Sequence, residues 1–269
     1  MSYKAEIALT GHSGFLGSSL ASALEFEGAT IKRLQGDTRD PATFEQMSYD
    51  TEYLFHFGAP SSQVLFNRQR DYCVDVTING FRNALRACEQ HGIKLIYPST
   101  GLLSHGETNE YARAKQVTED LAAKAKCDIL GLRIFGTYGP GEGAKKDYAS
   151  VPYLFLRDML QDRQPIIFGD GEQKRDFIYI EDTIKSVLAV SDKLSSQIVD
   201  IGSGQSYTFN EIVGYINGLL STEIKPQYVE KPAEYINATD ADISVLSRYY
   251  QPGIVMKEGL KRIIESERK

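Results

Sequence analysis

With 269 residues, 42% of them hydrophobic and 25% charged, the chain has an ordinary globular composition and the length of one large α/β domain, or of a domain with a smaller satellite lobe. A formal charge of -6 with no long basic run argues against nucleic acid as a partner, and no apolar run approaches the ~18 residues of a membrane span. Cys73, Cys88 and Cys127 are spaced too widely for a zinc-type pair and are odd in number for a disulfide framework; with no basic-then-apolar leader, a cytoplasmic setting is expected.

"AEIALTG" (5–11) is a short apolar run ending in glycine, as expected of a buried parallel strand. Leu16, Leu20 and Leu24 then follow at helical spacing up to Gly28, and "ATIKRL" reads as a second strand. "EYLFHFGA" (52–59), "KLIYPST" (94–100) and "CDILGLRIF" (127–135) are further strands. Between them lie the helical patterns "VDVTINGFRNALRACEQHG" and "NEYARAKQVTEDLAAKAK". This alternation predicts a Rossmann-type, doubly wound parallel sheet with helices on both faces. After Gly136 it weakens at the turn-rich "YGPGEG", and a helix follows over 152–161. "QPIIFGDGEQKRDFIYIEDTIKSVLAV" supplies one or two strands and a helix, and "IVDIGSGQSYTFNEIVGYINGLL" a last sheet strand and another helix. Residues 1–136 and 176–206 are assigned to the core built on this sheet, and 137–175 and 207–269 to a small C-terminal lobe.

Gly11-His12-Ser13-Gly14-Phe15-Leu16-Gly17 carries a glycine at every third position, between the first strand and the first helix. Glycine permits the tight turn, lets a pyrophosphate approach the backbone, and leaves the helix N-terminus with free N–H groups for the anion. A glycine-rich turn without a ligand is the plainer reading; the position within an apparent βαβ unit favours dinucleotide binding. The acidic residue expected near the end of the second strand falls at Gln35, which is neutral, with Asp37 two residues on and Arg33 and Arg39 flanking. A carboxylate suits the ribose diol of NAD and an arginine the 2′-phosphate of NADP. Both signals are present, so the cofactor is read as NAD with NADP left open.

Tyr111 and Lys115, in "NEYARAK", lie four apart and share a helix face ten residues after "YPST". Taken alone they begin an ordinary amphipathic helix. The segments "TGHSGFLGSSL", "GDTRDP", "FHFGAP", "PST" with "YARAK", "LRIFGTYGPG", "FGDGEQKRDFIYIEDT" and "DIGSG" occur in an order that resembles the extended short-chain dehydrogenase/reductases of the NAD-dependent epimerase/dehydratase group. The resemblance spans almost the whole chain. It implies an enzyme acting on nucleotide sugars, with Thr100, Tyr111 and Lys115 as the catalytic group. Tyrosine would take a proton from a sugar hydroxyl as hydride leaves for the nicotinamide. An ammonium about 6 Å from a phenol, at an effective dielectric of about 20, is worth roughly 2.8 kcal/mol, or about two pKa units toward an effective base.

The same resemblance places Gly11, Gly14, Phe15, Leu16, Gly17, Gln35, Asp37, Thr38, Phe57, Gly58, Ala59 and Phe135 beside the cofactor together with Tyr111 and Lys115. Gly136, Phe168, Arg175 and Lys231 are carried over as substrate-binding, Arg175 for the diphosphate and Phe168 for the base; plain core is the alternative for Phe168. No metal ligand is assigned, and His56 is expected to pack beside the cofactor strand. Several departures bear on activity. The stretch from Leu34 to Asp37 is contracted, which opens the adenosine end and is familiar from 4-keto-sugar reductases. Gly136 replaces an asparagine, Thr77 stands where an asparagine is common, and Lys231 replaces an arginine. Gly101-Leu102 stands where dehydratases carry Asp-Glu, which argues against 4,6-dehydration because loss of water needs an acid and a base. The expected activity is C4 epimerisation through a transient keto-sugar. A 4-keto-sugar reductase or sugar dehydrogenase is the alternative, a non-catalytic dinucleotide sensor a weaker one, and a homodimer through the helices near Ile78 and Glu110 the expected assembly.

Overall fold

Strand β1 (Glu6–Thr10) buries Ile7, Ala8 and Leu9 completely, as a strand covered on both faces does. The computed structural model describes residues 6–106, 109–231 and 235–267, so Ala5 of the predicted strand lies outside the described residues. Helix α1 (Phe15–Phe26) follows the glycine loop and turns Gly17, Leu20, Ala21 and Leu24 inward, leading into β2 (Thr30–Arg33). A 3-10 turn at Pro41–Gln46, capped by Asp40, occupies the connection to β3 (Thr51–His56). Next come α2 (Gln63–Arg68), α3 (Arg70–His91) and β4 (Lys94–Thr100). Gly92 closes α3 in the left-handed conformation, at φ 65°, which glycine adopts without a Cβ penalty. Helix α2 is too short for periodicity to reveal it, a six-residue segment with Phe66 buried.

Helix α4 (Glu110–Ala122) is capped by Asn109, whose side chain accepts the Ala112 N–H, and leads to β5 (Ile129–Ile134). The remaining elements are β6 (Gly136–Tyr138), α5 (Val151–Met159), β7 (Ile166–Phe168), β8 (Lys174–Tyr179), α6 (Ile180–Ser191), β9 (Gln197–Ile201), β10 (Ser206–Thr208), α7 (Phe209–Leu220), β11 (Gln227–Val229), β12 (Ala238–Thr239) and α8 (Met256–Glu267).

The six-stranded sheet has the order β2-β1-β3-β4-β5-β9, and its pairings from β2 to β4 are parallel. Chain order reverses between β1 and β3. In a doubly wound sheet the crevice beyond the carboxyl ends of such strands is where ligands bind. The contraction after β2 has a direct structural consequence: β2 is the edge of the sheet. Two compact units are present, one of residues up to Arg133 with Val187–Val199 and one of Ile134–Ser186 with Asp200 onward. The first unit holds a core in which Leu54, Phe81, Leu95, Tyr97 and Ile129 pack together. The second holds small sheets, in which β8 pairs with β6, β10 and β12 while β7 pairs with β11.

Candidate active site

Gly11 leaves β1 at φ +70°, and a Cβ there would lie 2.4 Å from the Phe57 carbonyl oxygen. At Gly17 a Cβ would meet the Gly11 carbonyl oxygen at 2.0 Å. Glycine is therefore required at both ends of this turn. Gly14 is the extended N-cap of α1 and supplies no side-chain cap, so Phe15, Leu16 and Gly17 begin the helix with its N-terminal dipole uncapped by a side chain. From the facing strand, the Gly58 N–H donates to Thr10 Oγ1 at 3.1 Å, and the Phe57 N–H to the Thr10 carbonyl at 3.3 Å. Ala59 continues that turn, its N–H reaching the Phe57 carbonyl at 3.0 Å. Thr38 is buried behind Gly58 and Gly80. A narrow cradle without side chains, facing a helix N-terminus, fits a dinucleotide pyrophosphate.

At the adenosine end, the Gln35 side chain lies 3.1 Å from His12 Nε2. Asp37 is engaged by Arg39, which also reaches Asp75 at 3.0 Å and lies over the Tyr72 ring. Arg33 pairs with Glu25 at 2.6 Å. Both arginines that could select a 2′-phosphate thus have carboxylate partners.

Thr100 ends β4, and Tyr111 and Lys115 occupy the first two turns of α4. The structure brings all three together within one unit. Tyr111 is hydrogen-bonded to Thr100, and its ring meets Phe66 of α2 edge-on at 5.3 Å. Burial pushes the phenol up to about 12, against the lowering effect of the Thr100 bond. The lowering expected from lysine is not among the effects on this phenol; Phe66, Cys73 and Ala114 close an apolar cluster around the ring, and the Thr100 bond alone opposes that burial. Burial likewise lowers Lys115 to about 8, opposed by the charge of Glu119, and its ammonium donates to the Pro98 carbonyl at 3.0 Å.

Around this group lies a network that local sequence patterns do not single out. Glu119, 5% exposed, accepts Ser99 Oγ at 2.5 Å and both Arg133 Nε and Nη2, at 2.9 and 2.7 Å. Arg133 also donates to Ser104 Oγ at 3.3 Å. A carboxylate at a core-facing helix position, four residues after Lys115, is the signal that could have found it. His56 pairs through Nδ1 with Thr10 Oγ1 at 3.0 Å, and burial lowers it to about 3, so the imidazole is neutral. Thr77 is buried with no partner for its hydroxyl among the described atoms.

In the second unit, Phe135 is buried, and its N–H donates to the Ile201 carbonyl at 2.9 Å. Gly136 opens β6, where a Cβ would press on the Phe177 ring at 2.6 Å; packing thus favours glycine where an asparagine is usual. Arg175 donates to the carbonyls of Lys174 and Ile236 and lies over the rings of Phe209 and Tyr235, 5.8 and 5.7 Å from their centroids. Phe168 is 40% exposed, with Tyr235 5.7 Å away, so it is not a core residue. Lys231 donates to Asn237 Oδ1 at 2.9 Å, while residues 232–234 of its motif lie outside the described residues. Among the described residues no cluster of three or more His, Cys, Asp or Glu is arranged to hold a metal, and no helix is long and apolar enough to cross a membrane.

The model of the NAD dependent epimerase/dehydratase family matches residues 7–202. A Methanocaldococcus jannaschii protein provisionally described as a UDP-glucose 4-epimerase is 27% identical, the match covering 96% of this chain and 97% of that one. Among solved structures, the UDP-glucose 4-epimerase of Thermotoga maritima with UDP-glucose superposes with a TM-score of 0.89, at 24% identity and 98% coverage of each chain. The Thermus thermophilus UDP-glucose 4-epimerase in complex with NAD gives a TM-score of 0.84 at 19% identity, covering 98% of this chain and 99% of that one.

Proposed function

The chain belongs to the NAD dependent epimerase/dehydratase family, and on that premise we propose that it epimerises a UDP-sugar at C4 through a transient keto-sugar. The observation that carries the reading is the buried Thr100–Tyr111–Lys115 group, in the same unit as the glycine cradle. Bound NAD supplies the hydride acceptor and donor. Thr100 orients the Tyr111 hydroxyl, and Tyr111 accepts the proton of the sugar 4-hydroxyl and later returns it. Lys115 sets a positive charge one helical turn from Tyr111 and favours the phenolate. A phenol that burial has raised to about 12 gives up its proton only with further positive charge nearby; Lys115 is placed to supply such charge, and an oxidised nicotinamide held in the cradle would add to it. On the second unit, Arg175 is read as the diphosphate fork, with Phe168 beside the base and Gly136 and Lys231 completing the substrate set.

NAD is favoured over NADP because Arg33 and Arg39 are already paired. The relatives named for UDP-glucose support the nucleotide and the C4 position. Three free cysteines suit a reducing cytoplasm. A homodimer through α3 and α4 belongs to the same reading. Sedimentation equilibrium tests it, and a monomer mass independent of concentration would end the idea.

The test is absorbance at 340 nm with purified protein and UDP-glucose, UDP-glucuronic acid or UDP-N-acetylglucosamine, without added cofactor. The epimer forming without net NADH supports the reading. A second reading, a 4-keto-sugar reductase, draws on the contracted Gln35–Thr38 segment beside the sheet edge. Stoichiometric consumption of added NADPH with a 4-keto sugar, and no epimer from saturated sugars, would establish it instead.

A further inference from the structure

Glu119 follows Lys115 by one helical turn, as Lys115 follows Tyr111, so the three share one face of α4. A buried carboxylate four residues from a buried ammonium would ordinarily close on it as an ion pair. Here it does not. The Lys115 ammonium donates to the Pro98 carbonyl, while Glu119 is held by the two-pronged grip of Arg133 on β5 and by Ser99, the residue immediately before Thr100. Arg133 also reaches Ser104, in the 3-10 turn that follows Thr100. The network thus brackets the reactive group on both sides in sequence and ties β4, α4 and β5 together. Glu119 is nearly dry, its side chain 4% exposed, and the Arg133 side chain is partly covered at 24%. A side chain serving only to cement helix to sheet could be apolar at this position, because a buried ion pair is costly to desolvate.

We propose that Glu119 is a positioning residue for the epimerase reaction: its fixed negative charge keeps Lys115 an ammonium in the interior, while Arg133 and Ser99 hold it back from pairing with that ammonium. A direct Lys115–Glu119 pair would cancel the positive charge that Tyr111 needs. Arg133 fixes the direction of the carboxylate, which leaves the Lys115 ammonium free to face the phenol, although the guanidinium also offsets part of the carboxylate's pull on it. The other ionisable groups around this cluster leave the task to Glu119. His56 on β3 is neutral, Tyr97 on β4 and Cys73 on α3 are neutral as burial raises them, and Tyr111 is the group being served. Burial pulls Lys115 down to about 8 and the charge of Glu119 pushes it up, as this arrangement requires. The proposal deepens the epimerase reading and rests on it for its purpose.

The test is a substrate-free titration, so it stands apart from the outcome of any turnover assay. Full-length protein with 13Cε-labelled lysine is titrated by NMR from pH 6 to 11, and the Lys115 signal is identified by its loss in Lys115→Met. Glu119→Gln keeps the shape and the acceptor oxygen, and should move the Lys115 midpoint down by about one pH unit. Arg133→Gln removes the opposing cation and should move it up. Opposite shifts are the signature, since loosened packing would not move the two variants in opposite senses. Should Glu119→Gln fail to fold, the upward shift in Arg133→Gln carries the test. An unmoved midpoint, or shifts of the same sign, would overturn the proposal. Where turnover is measured, the alkaline limb of the kcat/KM profile should move down in Glu119→Gln and return in Glu119→Asp. A uniform loss at every pH would mark a merely structural role.

Discussion

Replacing Lys115 with methionine should abolish turnover and yet stabilise the protein. Lys115 is 4% exposed, and its pKa falls from 10.5 to about 8 because burial penalises the ammonium. A fall of that size corresponds to about 3 kcal/mol of folding free energy lost to a charged interior group. Methionine has a similar length and no charge, but it forfeits the bond to the Pro98 carbonyl, worth about 1 kcal/mol. The net gain at pH 7 is then about 2 kcal/mol, or roughly 4–8 °C in Tm for a chain of this size. The pH dependence follows from the direction of the shift. Below the folded pKa both states are protonated, so the penalty is complete and flat. Between about 8 and 10.5 the unfolded chain binds more protons, so the wild type gains stability with rising pH and the advantage of the variant shrinks toward zero. Urea or thermal unfolding at pH 7 and pH 10 measures both. A Lys115→Met protein less stable than wild type at pH 7, or one whose advantage does not narrow at pH 10, would refute the reasoning.

Four further outcomes are expected. Tyr111→Phe keeps the ring against Phe66 but loses the proton acceptor, so the NAD Kd should stay within about threefold while kcat falls at least ~100-fold; equal turnover removes Tyr111 from the mechanism. Gly17→Ala sets a Cβ 2.0 Å from the Gly11 oxygen and should weaken NAD binding at least ~10-fold by calorimetry, an unchanged Kd disproving the cradle. Glu142 is fully buried and holds Lys145 at 2.8 Å and Ser150 Oγ at 2.6 Å, so Glu142→Gln should cost about 3 kcal/mol in urea unfolding and leave NAD binding intact. His56, lowered from 6.5 to about 3, makes the wild type lose stability as pH falls through that window; His56→Gln should flatten the dependence of Tm on pH between 6 and 4, and an unchanged slope would show that His56 is not the group responsible.

Apolar runs ending at glycine mark the strands of the main sheet well, because a strand buried on both faces admits little else, as Ile7 to Leu9 and Leu54 to Phe55 illustrate. The glycine loop is legible for a related reason: backbone crowding at Gly11 and Gly17 leaves no other residue type. Strands β10 to β12 have only two or three residues each, too few for alternation to register. Helix α8 does carry a readable stripe, Met256, Gly259, Leu260, Ile263 and Ile264, within a segment whose composition is otherwise mixed. At the site, the i,i+4 spacing of Tyr111 and Lys115 is visible in the sequence, whereas the electrostatic balance around them is not. Phe66 comes from a helix too short to detect, and its packing turns the tyrosine shift upward. Arg133 and Ser99 lie fourteen residues after and twenty residues before Glu119, so their network exists only once β4, α4 and β5 are assembled.

The central claim, that hydride leaves and returns to the same sugar carbon, is tested most directly with UDP-sugars carrying deuterium at C4. Purified protein is incubated with C4-deuterated UDP-glucose, UDP-glucuronic acid and UDP-N-acetylglucosamine, each at catalytic NAD, and followed by NMR. The account predicts a 4-epimer from at least one of them with the deuterium still at C4 and no accumulation of reduced cofactor. A keto or oxidised product formed in an amount equal to the NAD supplied, with the deuterium in free NADD and no 4-epimer, would contradict it.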